Sequence, residues 1–104
     1  MDLYVGNTME IYLRGNNALK DQDGNAITGA TVEVTIEDRT GSEISGMTWP
    51  LVLTDDGSGE YSGELDYDLA LEADTKYRVL VTASKGSTQA HWESLVTAQN
   101  RDLL

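Results

Sequence analysis

The sequence predicts an all-β chain, folded as one antiparallel β-sandwich of about seven strands with Greek-key connections. Three observations predict it. Apolar and polar residues alternate with period two in segment after segment. Compact turn signals separate those segments at short, regular intervals. No stretch carries the 3.6-residue apolar spacing of a helix.

The strands follow in order. Met9, Ile11 and Leu13 alternate with Glu10, Tyr12 and Arg14, giving a strand at about Thr8–Arg14. The polar run Gly15–Gln22 reads as a loop. Val32, Val34 and Ile36 alternate with Glu33, Thr35 and Glu37, giving Ala30–Asp38. Shorter strands are expected at Glu43–Met47 and Leu51–Thr54, then Gly59–Leu65. Asp66–Leu71 either continues that fifth strand or forms a short helical turn. Tyr77, Val79, Val81 and Ala83 alternate with Arg78, Leu80, Thr82 and Ser84, giving Tyr77–Ser84, and Thr88–Gln99 closes the set. Strand side chains point to opposite faces in turn, so each segment has one core face and one wet face. That is the half-buried antiparallel pattern, since all-parallel strands read as continuous apolar runs. Asp23-Gly24, Thr28-Gly29, Thr40-Gly41, Asp56-Gly57, Ser58-Gly59 and Lys85-Gly86 supply the turns.

A chain of 104 residues makes one domain, 1–104, and with no Cys it has no disulfide framework. Eighteen acidic against seven basic side chains give a formal charge of −11. Such a chain repels nucleic-acid phosphates and anionic membrane surfaces, so neither is an expected partner. No apolar run approaches the ~20 residues of a membrane span. The opening Met1-Asp2-Leu3-Tyr4 has neither the basic stretch nor the apolar core of a signal peptide.

The most specific fold signal is Leu71-Glu72-Ala73-Asp74-Thr75-Lys76-Tyr77-Arg78-Val79. An apolar residue closes one strand, a tight polar corner follows, and a Tyr opens the next strand two residues before an inward Val. This is the spacing of a tyrosine corner, in which the hydroxyl bonds back to the corner backbone. Tyr77 is therefore assigned a structural role. The run resembles the corresponding corner of fibronectin type III domains, although Ala30–Asp38 lacks the Trp those domains carry on their second strand. The corner makes the expected sandwich Ig-like, in the broad sense that includes fibronectin III and transthyretin-like arrangements.

Further residues carry a wider likeness. They are the Gly24-to-Ala30 turn feeding Thr31–Ile36, the runs Gly46-Met47-Thr48-Trp49-Pro50-Leu51 and Gly57-Ser58-Gly59-Glu60-Tyr61-Ser62-Gly63, the Tyr77 corner, Trp92 and Arg101. In this order and spacing the chain resembles small immunoglobulin-like proteins encoded among the structural genes of tailed bacteriophages. The resemblance implies a non-enzymatic virion component, in head decoration or head–tail joining, assembled in the host cytoplasm. Its implied partners are other phage structural proteins, or further copies of itself. The alternative is an Ig-like adhesion module for a host-surface glycan or protein.

No cofactor and no catalysis are expected. His91 is the single His, too little for a zinc site or a Ser-His-Asp triad, and alternation turns it to solvent opposite Trp92. Asp21, Asp23 and Asn25 imitate the front of a calcium loop. Ala26 stands where that loop needs Gly and Val32 where it needs Glu, so a plain turn accounts for them. Asp55, Asp56, Glu60, Glu64, Asp66, Asp68, Glu72 and Asp74 form an acidic run that reads as a solvated face.

Partner contact is expected elsewhere. Trp49, beside Pro50, is a core plug or an exposed anchor; Trp92 is expected in the core. Leu80 and Val52 face outward between inward neighbours. Leu3, Tyr4 and Val5, with Leu103-Leu104, are apolar ends. Residues 1–6 are read as a docking segment that adds as a strand to a neighbouring protein, or else as an extension of the chain's own first strand.

Overall fold

In a computed structural model of the chain, residues 3–100 are described. Eight strands form two facing sheets: β1 (Leu3–Tyr4), β2 (Met9–Leu13), β3 (Thr31–Glu37), β4 (Leu51–Val52), β5 (Thr54–Gly57), β6 (Glu60–Leu65), β7 (Lys76–Lys85) and β8 (Thr88–Gln99). The larger sheet has the order β1-β8-β7-β3-β4 and the smaller β2-β6-β5. One 3₁₀ turn, Gly15–Asn17, is the only helical element among the described residues.

Alternation positions the core as expected. Val32, Val34 and Ile36 of β3 meet Ala83, Val81 and Val79 of β7 in register, all buried. Ile11 and Leu13 of β2 and Tyr61 and Leu65 of β6 close over them from the other sheet. Burial of such apolar area, at roughly 25 cal/mol per Å², is the main force joining the sheets.

The elements differ from expectation in four places. Glu43–Met47 is not a strand: one bridge, Glu37↔Glu43, pairs there before Gly46 turns the chain at φ +110°. A Cβ at Gly46 would stand 2.9 Å from the Asp68 carbonyl oxygen, so the turn lies flat on the 66–70 segment. Leu51–Thr54 is two strands, because after Val52 the chain leaves the β3 edge and joins β6 in the other sheet. Asp66–Leu71 is turn and loop, with Leu69 and Leu71 buried and Tyr67 exposed.

The fourth difference concerns the N-terminus. Residues 3–5 pair within the chain but do not lengthen β2. Leu3 and Tyr4 pair with Ala98 and Gln99 of β8, in parallel, in the sheet opposite β2. Val5 N–H donates to Gln99 O at 2.8 Å. Leu3 is fully buried in the core of the chain itself, not on the surface where a contact residue was expected. The apolar character that marked it for docking is spent inside the chain, and one strand pair of the sandwich is parallel. Met1, Asp2 and the terminal Arg101, Leu103 and Leu104 lie outside the described residues.

Two buried tyrosines bind the crossings between sheets. The Tyr77 hydroxyl accepts the Glu72 N–H at 2.8 Å, the corner bond its spacing predicts. Tyr61 does more: its hydroxyl donates to Ile27 O at 2.8 Å and accepts the Ala30 N–H at 3.2 Å. Removing either hydroxyl leaves a backbone group without its partner. Tyr77→Phe is expected to lower unfolding free energy by about 1–3 kcal/mol, and Tyr61→Phe by at least as much, because two bonds are lost. Denaturant titration measures both; an unchanged midpoint for either removes its structural role.

Gly59 closes the same region. Its φ is +79°, and a Cβ there would lie 2.5 Å from Leu19 O, whose own N–H donates to Gly59 O. Gly57 also has positive φ but open space around it. Gly57→Ala is expected to cost about 1–2 kcal/mol from backbone handedness alone. Gly59→Ala should cost clearly more, and equal midpoints for the two variants contradict this packing.

Candidate functional site

The carboxylates that imitate chemical sites are engaged with their own backbone. Asp21 Oδ1 accepts the N–H groups of Asp23 and Asn25, both at 2.9 Å. Those bonds, the Asn25 amide foremost, hold its pKa below the usual aspartate value. The calcium-like triplet is thus a turn closed on Asp21, with Lys20 and Ala26 bridged at its base. Among the described residues no three metal-ligating side chains gather. Asp38 acts similarly, its pKa lowered first by the Thr40 hydroxyl and then by the Ser42 amide.

Asp55 ties two loops together. Its carboxylate accepts Gly29 N–H at 2.7 Å and Gly57 N–H at 2.8 Å, and these bonds lower its pKa. The neighbouring acids, Asp56, Glu64, Asp66 and Asp68 among them, are exposed, as a solvated face requires. His91 is exposed and lies 3.5 Å from Glu93.

The aromatic candidates are half-buried. Trp49 donates its Nε1–H to Ile44 O at 2.7 Å and packs against the core margin. Trp92 faces inward opposite Val81, yet it is covered on one side only. The expectation of a core Trp92 is corrected to that extent. The Ala90–Ser94 part of β8 stands at the margin of the smaller sheet, where β2 is the edge strand, and forms an overhang there.

That overhang makes a groove of about 590 Å³. Ala90, Trp92, Val79 and Val81 form its floor, and Ile11, Leu13 and the 16–20 loop its wall. β2 pairs only with β6, so the backbone along its other edge faces this opening. No sequence signal marks the groove, because it arises from how two sheets of unequal width overlap. Tyr12, outward on β2 by alternation, carries the Arg14 guanidinium 4.5 Å above its ring. Arg14 also meets Glu10 at 3.0 Å.

The outer face of the larger sheet holds the remaining candidates. Val52 is 58% exposed on the edge strand and Leu80 is half-buried between Thr35 and Glu93. Leu95, missed in the sequence because Glu93 and Thr97 flank it in phase, is 70% exposed beside Arg78. Arg78 lies between Glu37 and Glu93 at 3.8 and 3.9 Å. Tyr4 is half-buried on β1, apart from this group. The structure does not bring Trp49, Val52, Leu80 and residues 3–5 into one patch. No helix among the described residues is long and apolar enough to cross a membrane.

The lowered pKa values of Asp21, Asp38 and Asp55 set a sign for pH. A carboxyl whose folded pKa lies below its unfolded value contributes stability above that unfolded value and loses it as pH falls through the folded one. The melting midpoint should fall as pH drops from near 3.8, the reference value for these groups. Asp55→Asn should show a shallower acid loss than the unaltered protein; identical pH profiles contradict the role of the Asp55 bridge.

Comparison of the chain with protein-family models, with curated proteins and with solved structures gives no match.

Proposed function

We propose that the chain is a non-enzymatic, Ig-like structural component of a tailed-phage particle, acting by protein–protein contact in head decoration or head–tail joining. The observation that carries the reading is the strand order. The order β1-β8-β7-β3-β4 facing β2-β6-β5, with chain crossings after β1, β2, β4 and β6, supports an Ig-like reading. The Tyr77 corner sits at the last of those crossings. That corner is one of the motifs on which the resemblance to phage Ig-like proteins rests.

The surface supports contact rather than chemistry. The carboxylates with displaced pKa values accept backbone amides, Asp21 and Asp38 within their own turns and Asp55 across two loops. Exposed apolar side chains lie in the β2–β8 groove, on the larger sheet's outer face and, as Tyr67, on the loop between β6 and β7. A glycan-adhesion role draws on an exposed aromatic platform, whereas Trp49 and Trp92 are half-buried and on separate parts of the fold.

Mass spectrometry of particles purified from the lysing host tests the proposal. The chain is expected at a fixed stoichiometry with the other virion proteins, retained through density-gradient purification. Its absence from purified particles, with the protein present in the lysate, overturns the structural role.

A further inference from the structure

We propose that the free edge of β8 pairs with the β8 edge of a second copy of this chain, antiparallel about a two-fold axis at Trp92, joining the two larger sheets into one. This rests on the reading of the chain as a protein-contact module and names the partner and the strand that meets it.

β8 is the longest strand, and most of its outer edge is bare among the described residues. β7 lies along one side of residues 88–97, and β1 takes the other side only at Ala98 and Gln99. None of residues 88–97 is buried. The far end of the strand shows which way its backbone groups point. The Ala98 N–H donates inward to Thr75 O, whereas Gln99 O accepts the Val5 N–H on the outer side. Inward and outward bonding alternate along a strand of an antiparallel pair. Gln89, His91, Glu93 and Leu95 share the phase of Gln99, so their N–H and C=O groups point outward. Such a row is a template for another strand.

Charge selects a copy of the chain as that strand. Each copy carries −11, so self-association needs a contact poor in acid. Glu93 is the one acid among residues 88–97. The other edges are shorter; β2 carries Glu10, β5 carries Asp55 and Asp56, and β4 has only two residues. A basic partner is drawn to those acidic edges, an acidic copy to this one.

A two-fold axis sets two β8 edges antiparallel. With the axis at Trp92, His91 stands opposite the partner's Glu93, and Glu93 opposite the partner's His91. An imidazole donor then faces a carboxylate twice on the outer sheet face. Gln89 meets the partner's Leu95, a side chain 70% exposed in the single chain. The outward groups of these residues make about eight backbone bonds between the copies. On the inner face the half-buried Trp92 meets its counterpart, flanked by Ala90 and Ser94, which are small enough to admit paired rings. A shift of two residues sets His91 on His91 or Glu93 on Glu93. A shift of one residue sets outward groups against inward ones. The favoured register also ends with Thr88 opposite Val96, which leaves Ala98 and Gln99 to β1.

Sedimentation equilibrium and amide hydrogen exchange read by NMR test this on the whole protein. Between about 10 μM and about 1 mM the chain should pass from monomer to dimer. Over the same range the amides of Gln89, His91, Glu93 and Leu95 should gain protection, while those of Ala90, Trp92 and Ser94, held by β7, stay protected throughout. His91→Glu sets two carboxylates together at each pair and should weaken the dimer about tenfold. The double variant His91→Glu/Glu93→Lys should restore it. Leu95→Pro removes an outward N–H and no bond to β7, so it should abolish the dimer in a folded protein. A chain monomeric throughout, a dimer in which those four amides gain no protection, one that survives Leu95→Pro, or indifference to His91→Glu overturns the proposal. So does protection of the same amides by disassembled virion proteins while the chain remains monomeric, since the edge then belongs to another protein. Dimerisation is read on isolated protein and particle incorporation on virions, so each reading can fail without the other.

Discussion

The fold depends on how the chain crosses between its sheets without stranding backbone groups at the core. A backbone N–H or C=O that leaves a sheet ladder near the interior needs another partner. Two tyrosine hydroxyls supply it. Tyr77 holds the Glu72 amide where the chain passes from β6 to β7, and Tyr61 holds Ile27 and Ala30 where the loop enters β3. Each ring fills core volume while its hydroxyl does polar work at the margin, a combination an aliphatic residue cannot offer. Gly59 completes the second pin by letting the 19–27 loop lie against the backbone of the β5–β6 turn.

With the crossings held, the widths of the two sheets decide the surface. Five strands face three, so part of the larger sheet has no roof. At the C-terminal end of β8 the chain covers that excess itself by folding Leu3 into the core beneath a parallel two-residue β1. At the other end nothing in the described chain does so, and the groove beside Trp92 is the result. The acidic surplus has a matching division of labour. Some carboxylates serve as acceptors for loop amides, and most of the rest lie exposed on the surface.

Much of this was legible in the sequence where the information is local. Alternation identified β2, β3 and β7 and the faces they bury, and the spacing from Leu71 to Tyr77 identified the corner. The calcium-like triplet was legible as a turn because the loop's later positions fail. What failed was non-local. β1 is two residues long and pairs with a strand at the other end of the chain, so no spacing announces it. Ile44 is buried without a strand around it, held by the single Glu37↔Glu43 bridge and its own N–H on Ile36 O before the Gly46 turn. Tyr61 reads as one more alternating core residue, since the bonds that distinguish it reach 31 and 34 positions away. The half-exposed Trp92 and the groove follow from relative sheet width, a property of the assembled layers.

Native-state hydrogen exchange of the unliganded protein tests the central claim most directly. The Glu72 and Ala30 amides lie outside the strands and bond only to tyrosine hydroxyls. If those hydroxyls hold the crossings, both amides exchange only through global unfolding, with the same free energy as the central amides of Val34 and Val81. Exchange of Glu72 and Ala30 by local opening, several kcal/mol below the global value, contradicts the account.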